Sequence, residues 1–185
     1  MVNQRLRRST ASRRGGDFLR RRLDLWVALA VVAGLLLVGV LLKEKAGPEV
    51  AGNAVAADGD SLRIGGERIR LVGIDAPELD QVCFRNGTEW PCGRQSKDHL
   101  KRLVAGATVV CLGEGRDRFD RVLGRCRVGE VDLNAAQVRA GWALAYGDYD
   151  LEEAEAERDR AGVWQGTFER PRDWRAIHGE MVPDL

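Results

Sequence analysis

Leu25 to Leu42 is a run of eighteen residues without a charged side chain, and it divides the chain into parts that cannot share one core. As a helix rising about 1.5 Å per residue it would span about 27 Å, close to the hydrocarbon thickness of a bilayer. Lys43 ends the run, and Trp26 stands where an interfacial aromatic side chain belongs. A helix buried in a soluble protein would keep a polar face, and this stretch has none. Residues 1–24 carry eight arginines and two acids, a net of +6, which predicts a cytoplasmic N-terminus and a chain that continues on the far side of the membrane. A cleaved signal peptide is the rival reading, with an apolar core of about 7–15 residues ending in a small-x-small site. Here Lys43-Glu44-Lys45 follows the core, and Ala54-Val55-Ala56 lies too far downstream. The segment therefore reads as an uncleaved signal anchor, with secretion after cleavage as the alternative.

The expected organisation is a basic N-terminus (1–24), a transmembrane anchor (25–42), a linker (43–49) holding Gly47-Pro48, one domain (50–178) and a tail (179–185). Beyond the anchor the charge balance reverses: residues 43–185 hold 21 basic and 26 acidic residues, a net of −5. A protein that coats a duplex would be strongly basic. Any phosphate must therefore be drawn in locally, by a metal ion and a few arginines, rather than by the domain's overall field.

All four cysteines, Cys83, Cys92, Cys111 and Cys126, follow the anchor, as an extracytoplasmic domain with disulfides would have them. Four cysteines allow three connectivities, and sequence alone does not choose among them. Cys83 and Cys92 flank a polar loop with the turn residues Asn86-Gly87, and Cys111 and Cys126 sit in two apolar runs. The favoured pairing is 83 with 92 and 111 with 126. No C-x-x-C spacing of a zinc site occurs.

Glu49–Ala57 is a modest strand candidate. Ser61–Ile64 and Glu67–Ile74 read as strands joined by the two-residue loop Gly65-Gly66. Thr108–Leu112 and Arg121–Val128 complete a set of five. Ser96–Ala105 reads as a helix with Leu100, Leu103 and Val104 on one face. Asn134-x-x-Gln137 resembles a capping box opening a second helix, in which Val138, Trp142 and Ala145 share a side. Asp150-x-x-Glu153 opens a last one that ends at Gly162. Short strands with helices between and after predict a β-rich α+β domain, a five-stranded closed barrel of the OB type with three helices.

The chemistry is concentrated in Asp58-Gly59-Asp60-Ser61 and Asp75-Ala76-Pro77-Glu78, with Arg70 between them. Each motif alone is an ordinary turn signal. Together they place four carboxylates and a guanidinium on two paired strands and their turns. Hard cations such as Ca²⁺ take several oxygen ligands, and a phosphate suits a planar guanidinium. That combination fits phosphodiester hydrolysis. With only His99 and His178, a histidine base or a histidine-rich metal site is not expected, and no nucleophile elbow, P-loop or dinucleotide fingerprint occurs.

These motifs, followed in order by Asp117-Arg118-Phe119-Asp120-Arg121, by Asp132-Leu133-Asn134 with Val138-Arg139 and Gly141, and by Gly162-Val163-Trp164 with Pro171 and Trp174-Arg175, resemble the staphylococcal nuclease family over roughly residues 50–178. The resemblance implies an OB-fold barrel with three helices and calcium-dependent cleavage of DNA and RNA. It implies Asp60 and Asp75 as Ca²⁺ carboxylates, with Ala76 contributing its backbone carbonyl. Pro77 biases Ala76 to an extended backbone. Glu78 matches the general base, and Arg70 and Arg121 match the pair that grips phosphate and stabilises the transition-state charge. Phe119, Tyr146 and Tyr149 are the expected base-stacking walls, whereas Trp142, Trp164 and Trp174 are expected to pack in the core. Asp120 departs from the family's usual glycine: a positive φ there would strain it, and its charge would fall beside Arg121. A catalytically silent OB-fold module that binds oligonucleotides or a protein is the alternative function. A monomer without a protein partner is expected.

Overall fold

The computed structural model describes residues 26–37 and 47–178. The chain forms two compact units, Met1–Lys45 and Ala46–Leu185. In the first, residues 26–37 form an apolar helix, α1, with its side chains exposed. Among the described residues no helix is long and apolar enough to cross a membrane. The other residues of the expected anchor, Leu25 and 38–42, lie outside the described residues, as do the basic N-terminus and the tail 179–185.

In the second unit the strands are β1 (Glu49–Ala56), β2 (Ser61–Ile64), β3 (Glu67–Leu71), β4 (Ile74–Asp75), β5 (Cys83–Arg85), β6 (Thr88–Trp90), β7 (Thr108–Arg116), β8 (Val122–Val128), β9 (Val131–Asp132) and β10 (Leu144–Ala145). The helices are α2 (Cys92–Val104), α3 (Leu133–Arg139), α4 (Asp150–Arg158) and α5 (Pro171–His178), with a 3₁₀ turn at Gly162–Gln165. Strands β3-β2-β1-β7-β8 pair in that order, and a parallel β3–β8 pairing closes them into a five-stranded barrel. Alternation fills it: Leu62, Ile64, Ile69, Leu71, Val109, Cys111 and Val122 point inward and are buried. Leu100 and Val104 of α2, with Leu133 and Val138 of α3, join the same core. The disulfides are Cys83–Cys92 and Cys111–Cys126. The second links residues directly opposite each other on β7 and β8.

Four expectations are corrected. The strand expected over Glu67–Ile74 breaks at Val72-Gly73, where Gly73 takes φ +77°, so Ile74–Asp75 leaves the barrel and pairs with β10. Helix α2 starts a turn before Ser96, at Cys92. Asn134-x-x-Gln137 is not a capping box. The N-cap of α3 is Asp132, which accepts from Ala135 N, while Asn134 Nδ2 donates to Val72 O and Gln137 Nε2 to Gly59 O. That helix stops at Arg139, so Trp142 and Ala145 lie beyond it. A fourth helix of this unit, α5, was not expected at all: Pro171, Trp174 and Ile177 recur at helical spacing, but eight residues are too short a window to establish a period.

Candidate active site

Three loops deliver the site to one cleft of about 590 Å³ on the barrel's outer wall, lined among others by Asp60, Arg70, Glu78, Phe119, Arg121 and Arg175. On β3, Ile69 and Leu71 face the core, so Arg70 projects to the opposite face. The β1–β2 turn carries Asp58 and Asp60. Asp58 Oδ1 accepts from Asp60 N at 3.0 Å and shapes the turn. A Cβ on Gly59 would lie 2.0 Å from Ser96 Oγ and 2.7 Å from Ala76 Cβ, so only glycine lets this turn lie against α2 and Ala76.

Asp60 is the electrostatic centre. It is 4% exposed, and its Oδ1 accepts from Arg70 Nη1 at 2.9 Å and from Ser61 Oγ at 3.1 Å, while Oδ2 accepts from Ala76 N at 3.0 Å. Burial nevertheless outweighs Arg70 and pushes its carboxyl up to about 7 from 3.8, with Asp58 and Asp75 adding like charge. Asp75, also buried, accepts from Arg70 Nη2 at 3.0 Å.

Sequence reasoning missed one residue that sits at the centre of this arrangement. Arg175 of α5 forks onto Asp75, Nη1 to Oδ1 and Nη2 to Oδ2, both at 3.0 Å, and Nη1 also reaches Glu78 Oε1 at 2.8 Å. The loop beneath is tied down by buried Gln81: its Oε1 accepts from Glu78 N at 3.1 Å, and its Nε2 donates to Glu169 O at 2.7 Å, just before α5. Gly93 packs its bare Cα against the Glu78 carbonyl, where a Cβ would lie 1.7 Å from the oxygen.

The opposite wall is the β7–β8 loop. Asp117 Oδ1 accepts from Phe119 N and Arg121 N, and Oδ2 from Arg121 Nε at 2.8 Å and Nη2 at 2.7 Å. Desolvation pushes the Asp117 carboxyl up, but the hydrogen bonds from Arg121 and Phe119 prevail and hold it below the usual range. Phe119 stands exposed between the guanidinium groups of Arg118 and Arg121, 4.7 and 5.5 Å from its ring centroid. Asp120 takes φ +61°, the left-handed backbone in which the sequence comparison expected strain. Its charge does not fall on Arg121: its carboxylate lies 3.4 Å from Arg116, and the acid on Arg121 is Asp117.

Tyr146 and Tyr149 are not brought into the cleft. Tyr146 lies exposed over a neighbouring depression with Arg170 and Pro171. Tyr149 packs against the core, and its hydroxyl accepts from Arg125 Nη1 at 3.0 Å. Trp142 is a packing residue, edge-on to Trp90 with ring centroids 6.1 Å apart.

Among the described residues no three acids, cysteines or histidines form a metal cluster. The oxygens that converge are two carboxylates, Asp60 and Asp75, beside the Ala76 peptide. This all-oxygen donor set fits a hard cation, and burial disfavours the Asp60 charge despite its bond from Arg70, so a cation there would offset that cost.

Comparison with known proteins follows the same lines. The family model for staphylococcal nuclease homologues matches residues 68–166, a stretch that excludes Asp60 and Arg175. The chain is 34% identical over 142 residues to the succinoglycan biosynthesis protein ExoI of Rhizobium meliloti (strain 1021), covering 71% of this chain and 74% of that protein. It is 36% identical over 118 residues to an uncharacterized endonuclease of Escherichia coli, covering 58% and 71%. It is 32% identical over 115 residues to the probable staphylococcal-like nuclease CAN3 of Oryza sativa subsp. japonica, covering 58% of this chain and 28% of that one.

Proposed function

The chain belongs to the staphylococcal nuclease family, and from that premise we propose that it is a calcium-dependent nuclease that hydrolyses phosphodiester bonds of DNA and RNA with little sequence preference. The observation that carries the reading is the convergence of Arg70, Glu78 and Arg121 on one open cleft that Asp60 also lines, with Asp75 joined to Asp60 through the Arg70 guanidinium.

Asp60, Asp75 and the Ala76 carbonyl would hold Ca²⁺, which when bound would supply positive charge to the phosphate oxygens. Glu78, which lines the cleft, would take a proton from the attacking water. Arg70 and Arg121 face the cleft from opposite walls and would hold the phosphate between them as charge builds on its oxygens. Arg121 keeps its fork oriented through Asp117, and Phe119 offers a stacking face for a base next to the cleaved bond.

The arginine-rich N-terminus, the uncharged run Leu25–Leu42 and the two disulfides support a tethered domain on the extracytoplasmic side. The test of the activity is cleavage of single-stranded DNA and of RNA by the full-length chain with Ca²⁺ or with chelator, beside Glu78→Gln. Calcium-dependent cleavage lost in the variant supports the reading. A folded chain that cleaves nothing in either condition rejects it and leaves the binding module.

A further inference from the structure

The two carboxylates that a cation would use, Asp60 and Asp75, and the neighbouring Glu78 are each already held by a guanidinium, and one of those guanidiniums comes from outside the barrel. Arg70 sits between Asp60 and Asp75 on β3. Arg175 reaches in from α5, one hundred positions along the chain from Asp75. Its fork takes both oxygens of Asp75 and one of Glu78 at 2.8–3.0 Å. A divalent cation needs at least one of those Asp75 oxygens, and it would then lie within a few ångströms of a fixed positive charge.

We propose that Arg175 is a built-in competitor of the cation, a positioning residue that holds Asp75 and Glu78 in place when the cation is absent and raises the cation concentration at which the site fills. The proposal rests on the reading that Ca²⁺ binds Asp60 and Asp75. Like charges at this separation repel strongly even where water screens them, so cation and guanidinium cannot both keep their best positions on Asp75. Without Arg175, Glu78 would lose its guanidinium partner and Asp75 would share Arg70 with Asp60, and the Arg175 fork offsets that crowding of negative charge. Arg175 can yield because its side chain is 40% exposed and opens onto the same cleft as Arg121. The start of α5 keeps a separate attachment through Gln81 Nε2 to Glu169 O and the buried Pro171, so release of the arginine does not require release of the helix. In the resting state Glu78 is also masked, its Oε1 engaged by Arg175 and therefore less available to a water proton. Cation binding would unmask the base in the same step, which couples filling of the site to readiness of its proton acceptor.

The experiment measures Ca²⁺ binding directly, by isothermal titration calorimetry on the full-length chain in mild detergent, for wild type, Arg175→Gln and Arg175→Lys. Removing the charge should tighten Ca²⁺ binding by about tenfold or more, while Arg175→Lys, which keeps the charge, should stay near wild type. A merely structural arginine predicts the opposite, because a loosened site binds more weakly. Equal or weaker binding by Arg175→Gln, with an unchanged far-ultraviolet circular dichroism spectrum, overturns the proposal and leaves the nuclease reading intact. A wild type that binds no Ca²⁺ overturns the proposal and the calcium reading together.

Discussion

Replacing Asp60 with asparagine should stabilise the cation-free protein at pH 8 while abolishing its cleavage. The Asp60 carboxyl is pushed up to about 7 from 3.8, chiefly by burial. At about 1.4 kcal/mol per pKa unit, keeping it ionised at pH 8 costs the fold on the order of 4 kcal/mol. Asparagine removes the charge but keeps only one acceptor oxygen. Either the bond from Arg70 Nη1 or the bond from Ala76 N is therefore lost, at about 1 kcal/mol, and the gain from neutralisation wins. The net of about 3 kcal/mol should raise the melting temperature by roughly 6–10 °C. The sign depends on pH in a defined way. A carboxyl raised in the fold contributes stability below its unfolded pKa, and that contribution is lost as pH rises through the folded value. The advantage of Asp60→Asn should therefore be absent at pH 4, where the native carboxyl is protonated, and should grow between pH 4 and about 7. Calorimetry of both proteins in chelator across that range is the assay. A variant less stable than wild type at pH 8, or equally favoured at pH 4, would refute the reasoning and show that the Arg70 ion pair outweighs the cost of burial.

Arg121→Ala should cut cleavage by about 10²–10³-fold, because it removes a donor to developing charge. Its fold should lose no more than about 1 kcal/mol, since the arginine's ion pair is a partly exposed one with Asp117; unchanged kinetics would remove Arg121 from the site. The double variant Cys111→Ala/Cys126→Ala, which opens a link of sequence separation 15, should lose about 3 kcal/mol in the chain-entropy account, read as a drop in melting temperature under non-reducing conditions; an unchanged melting temperature would count against the link. Burial lowers the pKa of His99 from 6.5, with nearby Arg102 adding to the effect and the hydrogen bond to Gln137 opposing it. A depressed histidine contributes stability above its unfolded pKa and loses it as pH falls through the folded one. His99→Gln should therefore flatten the fall in melting temperature between pH 7 and 5, and an identical pH profile would show that folding does not depress the His99 pKa.

Local chemistry explains what was legible beforehand. Alternation in Leu62–Ile64 and Ile69–Leu71, the Gly65-Gly66 hairpin loop, and the asparagine-glycine turn at Asn86-Gly87 (φ 52° and 76°) all act within a few residues, so strand positions could be read directly. The hairpin β5–β6 built on that turn was read only as a loop, because three-residue strands are too short to show alternation. The capping-box reading of Asn134 failed for a related reason: a polar residue near a helix start caps equally well on paper whether its side chain turns back or reaches across to Val72 and Gly124. The two tyrosines were assigned to the cleft by resemblance, and packing put Tyr149 against the barrel core instead.

The sequence by itself pointed to the barrel through local alternation and turns, and its resemblance to the family pointed to the set Asp60, Arg70, Asp75, Glu78 and Arg121. Only the tertiary structure decided how the charges pair. Of the many arginines in this chain, nothing local marks Arg175 as the partner of Asp75 and Glu78, or Asp117 rather than Asp120 as the partner of Arg121. Those choices follow from where α5 docks and how the β7–β8 loop folds back. An ion pair at about 3 Å depends on separation in space, and separation along the chain carries no information about it once a hundred residues intervene.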